Sequence, residues 1–321
     1  MNFQELITSE HTIAFYNLEN LFDIRNDKTK YDSDFLPGSE KRWTKRRYER
    51  KLYKLGQVIS KIGFDTTQKP PAIVGLAEVE NKHVIQDLIE SKELESYDYG
   101  YVHYESKDER GIDVALLYDK AVFTVEDSKT YSVYLEDDRG EQDYTRDLLL
   151  VSGMFHSERL HVIVNHWPSR REGELESNPK RIKAAEKVVE IINSLKVTYS
   201  NPKILVMGDF NDNPSNDSVK LLSIKGGLYN SMETLLSYSR GSVSHRFKWN
   251  LFDQILFSTN FFETELNKLK FDEANIFDET FLKQHKGKYK GQPFRTYVGT
   301  KYQGGYSDHF PVYVKLNITQ P

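Results

Sequence analysis

Lys203–Pro214 reads KILVMGDFNDNP, and the reading of the whole chain starts there. Lys203–Met207 is a short apolar run rich in branched side chains, which is how a strand buried on both faces looks. It stops at Gly208, Asp209, Phe210 and Asn211, and Asp212, Asn213 and Pro214 then supply turn chemistry. A rigid strand that ends in a carboxylate and an amide holds polar groups still at the rim of a sheet, where loops can admit a ligand.

The same construction recurs along the chain. Thr12–Tyr16 (TIAFY) ends in Asn17, Ala72–Ala77 (AIVGLA) in Glu78, and Leu160–Val164 (LHVIV) in Asn165-His166. Leu251–Phe257 (LFDQILF) carries Asp253, and Ser307-Asp308-His309 stands immediately before Phe310–Val314 (FPVYV). Val114–Tyr118 (VALLY) is a further strand. Between these runs, Thr44–Ile62 places Tyr48, Leu52, Leu55, Ile59 and Ile62 on one helical stripe. A second helix is expected over Pro179–Leu195, capped by Asn178 with Pro179 in the first turn, and a third over Lys82–Leu94. Residues 123–147 and 259–303 are polar, aromatic and less periodic, as hairpins or long loops around a core would be. No repeat, low-complexity tract or Pro/Gly/Ser linker divides the chain, so one α/β domain over residues 1–321 is expected.

Composition narrows the function. Of 321 residues, 38% are hydrophobic and 29% charged, which excludes a disordered chain. There is no Cys, so disulfides, thiol chemistry and Cys-based zinc sites are excluded. The net charge of −4 excludes a globally basic nucleic-acid binder, so any polyanion must meet a local patch. No apolar run approaches the length of a membrane span, and MNFQELITSEHTIAFYN lacks a basic start followed by a long apolar stretch. The expectation is a cytoplasmic monomer with no membrane partner, although a secreted chain with its signal removed would read the same.

The groups at the strand ends are Asn, Glu, Asp and His. Hard oxygen donors of this kind suit Mg²⁺, Mn²⁺ or Ca²⁺. A divalent ion beside Asp and His groups able to move protons is the usual equipment for phosphoryl chemistry. Each group alone has an ordinary reading as a surface carboxylate, a turn or a structural histidine. A calcium loop starting at Asp209 is excluded, because its sixth position is Pro214 rather than Gly and its twelfth is Lys220 rather than Glu. The ordered recurrence of these groups after successive strands is what points to a site.

FYNLENLF around Asn17, VGLAEVEN around Glu78, GDFND, LFDQIL and GGYSDHFPV together resemble the endonuclease/exonuclease/phosphatase superfamily, over residues 13 to 315. VNHWPSR and ERGIDVALLYD resemble its bacterial nuclease-like branch. The resemblance implies a four-layer α/β sandwich, two mixed β-sheets packed face to face and flanked by helices. It implies Glu78 as principal metal ligand, with Asn17 nearby and Asp308 contributing directly or through water. Asp209 would orient and deprotonate the attacking water with Asn211 positioning it; Asp209 and Asn211 holding a second ion fits the same residues. His309 would contact the scissile phosphate, oriented by Asp253, and His166 would stabilise the pentacovalent phosphate or protonate the leaving group. Arg110, Arg146 and Arg170 are candidates for phosphate binding, since a planar guanidinium matches a phosphate. Gln254 stands where many members of the family have an aromatic residue, so a different substrate fit is expected.

The leading expectation is metal-dependent hydrolysis of nucleic-acid phosphodiesters. The run Lys41–Lys54 (KRWTKRRYERKLYK), with Trp and Tyr between its cations, suits a backbone-tracking surface as well as the solvated face of an amphipathic helix. A small-molecule, inositol-phosphate or phospholipid-head-group phosphoesterase would use the same core residues. A catalytically dead binding module would have lost one of them, and all are present.

Overall fold

In Lys203–Asp209 the side chains alternate between two cores. Leu205 and Met207 belong to one buried cluster, Ile204 and Val206 to another. A strand with apolar side chains on both faces must be covered on both faces, and this period of two generates the layers. The computed structural model describes residues 7–137, 139–171 and 173–320. The expectation of no leader rests in part on residues 1–6, which lie outside the described residues.

The first six-stranded sheet is built from β1 (Ile7–Leu21), β2 (Ile73–Val79), β3 (Tyr99–His103), β4 (Asp113–Asp119), β15 (Leu269–Ile276) and β18 (Val312–Gln320), in the order β15-β18-β1-β2-β4-β3. The second comprises β5 (Phe123–Tyr131), β8 (Leu148–Phe155), β9 (Glu158–His166), β10 (Lys203–Asp209), β11 (Leu228–Asn230) and β14 (Asp253–Ser258), in the order β11-β14-β10-β9-β8-β5. Two-stranded ribbons pair β6 (Leu135–Glu136) with β7 (Gln142–Asp143), β12 (Val243–His245) with β13 (Lys248–Asn250), and β16 (Tyr297–Val298) with β17 (Lys301–Tyr302). Each large sheet is mixed, with one parallel pair at its centre, β1 with β2 and β9 with β10, and antiparallel neighbours.

Helices α1 (Lys45–Ile59), α2 (Phe64–Thr67) and α3 (Lys82–Ile89) precede the second sheet in the chain, while α4 (Glu174–Thr198) and α5 (Asp217–Ile224) fall within it. Buried residues of α1 and α3 join the core of the first sheet, and those of α4 and α5 cover the outer face of the second. This is the four-layer sandwich that the family resemblance implies. Where the sheets meet, a Cβ added to Gly75 would lie 2.5 Å from Met207 Sδ and 3.1 Å from Phe15, so a side chain there would require the Met207 thioether to repack between the layers.

Several boundaries differ from the sequence reading. α4 begins at Glu174, with Gly173 before it at φ +117°, and Pro179 lies inside the helix rather than in its first turn. The bond that Pro179 removes would have gone to the carbonyl of Leu175, a residue 82% exposed at the solvent side of the helix. α3 stops at Ile89, not Leu94; Asn81 Oδ1 caps its start, accepting from His83 N and Val84 N. Residues 123–147 and 259–303 contain β5 and β15, edge strands of the two large sheets, besides ribbons and loops. β18 begins at Val312 because Pro311 offers no N–H to the ladder.

The basic run Lys41–Lys54 is split between core and solvent: Trp43, Tyr48, Lys51 and Leu52 are buried, while Arg42, Lys45, Arg46 and Arg50 are exposed. Trp43 is buried and donates to Phe22 O, and Lys51 is buried and donates to Thr296 Oγ1 and Tyr306 O at 2.6 Å each. Lys54 lies 4.2 Å from the Tyr306 ring centroid, and Arg47 4.3 Å from that of Tyr302. Trp43 and Tyr48 are therefore packing residues rather than stacking platforms. Among the described residues no helix is long and apolar enough to cross a membrane.

Candidate active site

Parallel strands end at the same edge, so the two central pairs bring four C-terminal ends to one rim. Asp209 closes β10 and is the register partner of His166, which closes β9, and of Asp253, which opens the antiparallel β14. Register partners share a face. The alternation that sends Leu205, Met207, Val162, Val164, Ile255 and Phe257 into the core between the sheets therefore sends Asp209, His166 and Asp253 the same way, one step past where the apolar packing ends. All three are buried.

The first sheet answers across the seam. Asn17, late in β1, donates Nδ2 to Asp209 Oδ2 at 3.0 Å, and its Oδ1 accepts Glu19 N at 3.0 Å. Beyond Asn17 and Ala77 the β1–β2 register slips through a bulge. Glu19, Asn20 and Glu78 there have φ of +53°, +56° and +64°, uncommon values for such side chains. Bulges re-aim side chains, and this one turns Glu78 into the cleft, with Oε2 held by Asn20 N at 2.8 Å and Oε1 3.8 Å from Arg110 Nη2. Arg110 is fixed in turn on Asn20 Oδ1 at 2.8 Å.

His309 joins the two sheets. It precedes β18 of the first sheet, yet its Nδ1 lies 2.7 Å from Asp253 Oδ2 of the second. Ser307 Oγ donates to Asn17 O and accepts His309 N, which sets the approach. Asp308, between them, pairs with Arg295. Arg295 also approaches Glu19, whose carboxylate takes the backbone N–H groups of Thr296 and Tyr297.

The two histidines are in opposite states. Burial works against charge on His309, but the Asp253 carboxylate and its hydrogen bond, then Asp209, outweigh it and hold the imidazolium well above the ordinary histidine range. His166 is pushed well below that range, by burial first and then by Arg146 and Arg110, and is neutral. Both face one carboxylate: Asp209 Oδ2 is 3.7 Å from His166 Nε2 and 4.0 Å from His309 Nε2. Burial pushes Asp209 up to about 6, against the pull of His309.

These groups line a cleft of about 590 Å³ that includes Glu78, Arg110, His166, Asp209, Asn211, Asp308 and His309. Among the described residues, six Arg or Lys against four Asp or Glu line it, so a basic patch exists in an acidic chain. Asp209, Asp253 and His309 present ligand atoms within 4.8 Å of one another. Asp253 is wholly buried and committed to His309, however, whereas Glu78 and Asp308 offer carboxylate oxygens to the open cleft. Two hard carboxylates facing the cleft fit a divalent cation such as Mg²⁺ or Mn²⁺, whereas Asn17, engaged by Asp209 and by Glu19 N, is not among the described lining residues.

Other candidates are placed differently. Arg146 is buried on Asp108 and Trp167 O and lines a smaller neighbouring pocket that shares Arg110, Ser169 and Arg171 with the cleft. Arg170 lines the cleft with its guanidinium engaged by Asn211 O, Asp212 and Glu174. Asn211, at φ +50°, donates to Trp167 O, so these residues brace the GDFND turn. Gln254 does not face the cleft. It is buried, donating to Asp212 O and Leu251 O and accepting from Asn230, and the expected change in substrate fit has no support at this residue. Arg295 and Arg171 line the cleft and were not foreseen; both lie in stretches without periodicity.

Residues 12–318 match the model of the Endonuclease/Exonuclease/phosphatase family, and the chain belongs to that family. It is accordingly a phosphoesterase by class. Solved structures agree at the level of the fold. An endonuclease/exonuclease/phosphatase family protein from Bacteroides thetaiotaomicron is similar at 18% identity and TM-score 0.59, covering 98% of this chain and 97% of its own. TDP2 from Caenorhabditis elegans is similar at 15% identity and TM-score 0.56, over 96% and 75%. A mannosyl-6-phosphatase from B. thetaiotaomicron is similar at 19% identity and TM-score 0.57, over 95% and 99%. No curated protein matches the chain.

Proposed function

We propose that the chain is a divalent-metal-dependent phosphodiesterase that hydrolyses nucleic acid. The observation that carries this reading is Asp209, a buried carboxylate flanked by a neutral and a charged imidazole. Asp209 would orient a water and take its proton. The Nε2–H of His309, fixed because Nδ1–H is bound to Asp253, is a donor for a phosphate oxygen. His166 stands as a second donor on the other side. Glu78 and Asp308 would hold the ion, which when bound supplies charge neutralisation at the phosphate. The excess of Arg and Lys over Asp and Glu among the described lining residues, with Arg246 and Lys248 on the ribbon beside the site, favours a polyanion.

The test is turnover of plasmid DNA, single-stranded DNA, RNA, bis-p-nitrophenyl phosphate and inositol phosphates with Mg²⁺ or Mn²⁺. Diester cleavage that EDTA abolishes is expected. Unaltered turnover after Asp209→Ala or His309→Ala would refute the site, and activity confined to phosphomonoesters would refute the nuclease. That last outcome would favour a small-phosphoester enzyme, which a cleft of this volume also accommodates.

A further inference from the structure

The β12–β13 ribbon closes through two residues only, Arg246 and Phe247, at φ +49° and +67°. A two-residue hairpin turn with both residues left-handed is normally built from Asn or Gly. A bulky aromatic side chain in that conformation is strained, and strain of this kind clusters where a side chain is needed in a particular place. Here the turn projects Phe247 to 58% exposure, stacked on Tyr289 with centroids 5.5 Å apart and planes 8° from parallel. Tyr289 is itself 40% exposed, with Lys288 Nζ 4.9 Å from its ring centroid.

The pair is anchored to the catalytic edge. Val243 bridges to His309, Phe310 N donates to Ser242 O, and Trp249 stacks on Phe310. The aromatic groove continues the cleft, since Ser244, His245, Arg246 and Arg295 line both. Among its described lining residues there is no carboxylate to accept hydroxyl hydrogens from a sugar. It offers flat aromatic faces beside guanidinium groups.

We infer that Phe247 and Tyr289, with Arg246, form a subsite that stacks an unpaired base of a nucleic-acid strand next to the phosphate held at His309. This rests on the nuclease reading above and narrows it to single-stranded or locally unpaired substrate. Cations alternating with aromatic faces match a strand in which phosphates alternate with bases, whereas bases inside a duplex cannot reach an exposed ring.

The experiment compares wild type with Phe247→Ala and Tyr289→Ala, using fluorescence anisotropy in EDTA on three labelled oligonucleotides of equal length: single-stranded, fully abasic and duplex. Wild type is expected to bind the single strand about tenfold more tightly than the abasic strand, and each substitution is expected to remove most of that preference. Because the readout is a ratio between two strands on one protein, general loss of folded protein does not mimic it. If both variants keep the wild-type ratio, or wild type shows no ratio, the stacking subsite is refuted while diester hydrolysis by the same sample leaves the phosphodiesterase intact. If no oligonucleotide binds, the nucleic-acid reading and the subsite fall together. Loss of hexose-phosphate turnover in the variants with an unchanged oligonucleotide ratio would make the groove a sugar platform and overturn the proposal.

Discussion

Asp253 opens β14 of the second sheet, His309 precedes β18 of the first, and they meet at 2.7 Å, with the carboxylate fully buried and held on the ring's Nδ1. That one hydrogen bond fixes the ring's orientation and the proton on its far nitrogen. Asp253→Asn keeps the shape and removes the charge. Turnover is expected to fall by about 10²–10⁴-fold with the fold intact by circular dichroism. NMR titration is expected to show His309 losing its proton at lower pH than in wild type.

Divalent ions should stabilise the protein as well as activate it, because Glu78 and Asp308 hold carboxylates in the cleft of the folded chain only. Thermal unfolding is expected to shift upward with Mg²⁺ or Mn²⁺, and Glu78→Ala to lose most of that shift. An equal shift in the variant would place the ion elsewhere.

Arg181 and Asp212 form an ion pair at 2.8 Å, both side chains fully buried. Arg181 also donates to Ser177 Oγ and Glu174 O, and Asp212 accepts from Arg170 and Ser218. Arg181→Met leaves a buried carboxylate short of its counter-charge and is expected to cost about 3–5 kcal/mol in urea unfolding. Adding Asp212→Asn should recover part of the loss.

Acid should weaken the fold through three histidines away from the cleft. Burial holds His11, His103 and His161 each down to about 4; His156 adds to this at His11, Lys30 at His103 against an opposing Glu105, and Arg159 at His161. Their unfolded value is about 6.5. Between the two, the unfolded chain binds more protons than the folded one, so stability is complete above about 6.5 and falls as pH drops toward 4. Each contributes at most about 1.4 kcal/mol per pH unit. Urea midpoints at pH 7.5, 6 and 5 are expected to decline, and His161→Leu to flatten the decline.

Strand ends were legible because apolar runs stop abruptly at polar groups. TIAFY, AIVGLA, LHVIV and KILVM all lie in central strands, and the residues after them meet at one rim. β5 and β15 were not legible, since an edge strand with one wet face carries polar residues, and VEDSK and FDEA read as loop. Pro179 misled because proline is common at a helix start, yet it is tolerated further in where the freed carbonyl lies at the solvent side of the helix. Arg295 left no trace in sequence because its relation to Asp308 and Glu19 depends on a loop with no period. The candidate phosphate arginines could be named by type, but only tertiary contacts show that Arg146 and Arg170 are braced by carboxylates and carbonyls.

Gly75 and Met207 meet between the layers, one same-face step behind Asp209, where the missing Cβ leaves room for the thioether of one sheet against the backbone of the other. Asn17 and Glu78 travel with one sheet, Asp209, His166 and Asp253 with the other. That contact is thus a gauge for the alignment of two half-sites. Since misplacing reacting groups by an ångström can cost a hundredfold in rate, a slight thickening of this interior should slow the enzyme before it noticeably loosens the fold.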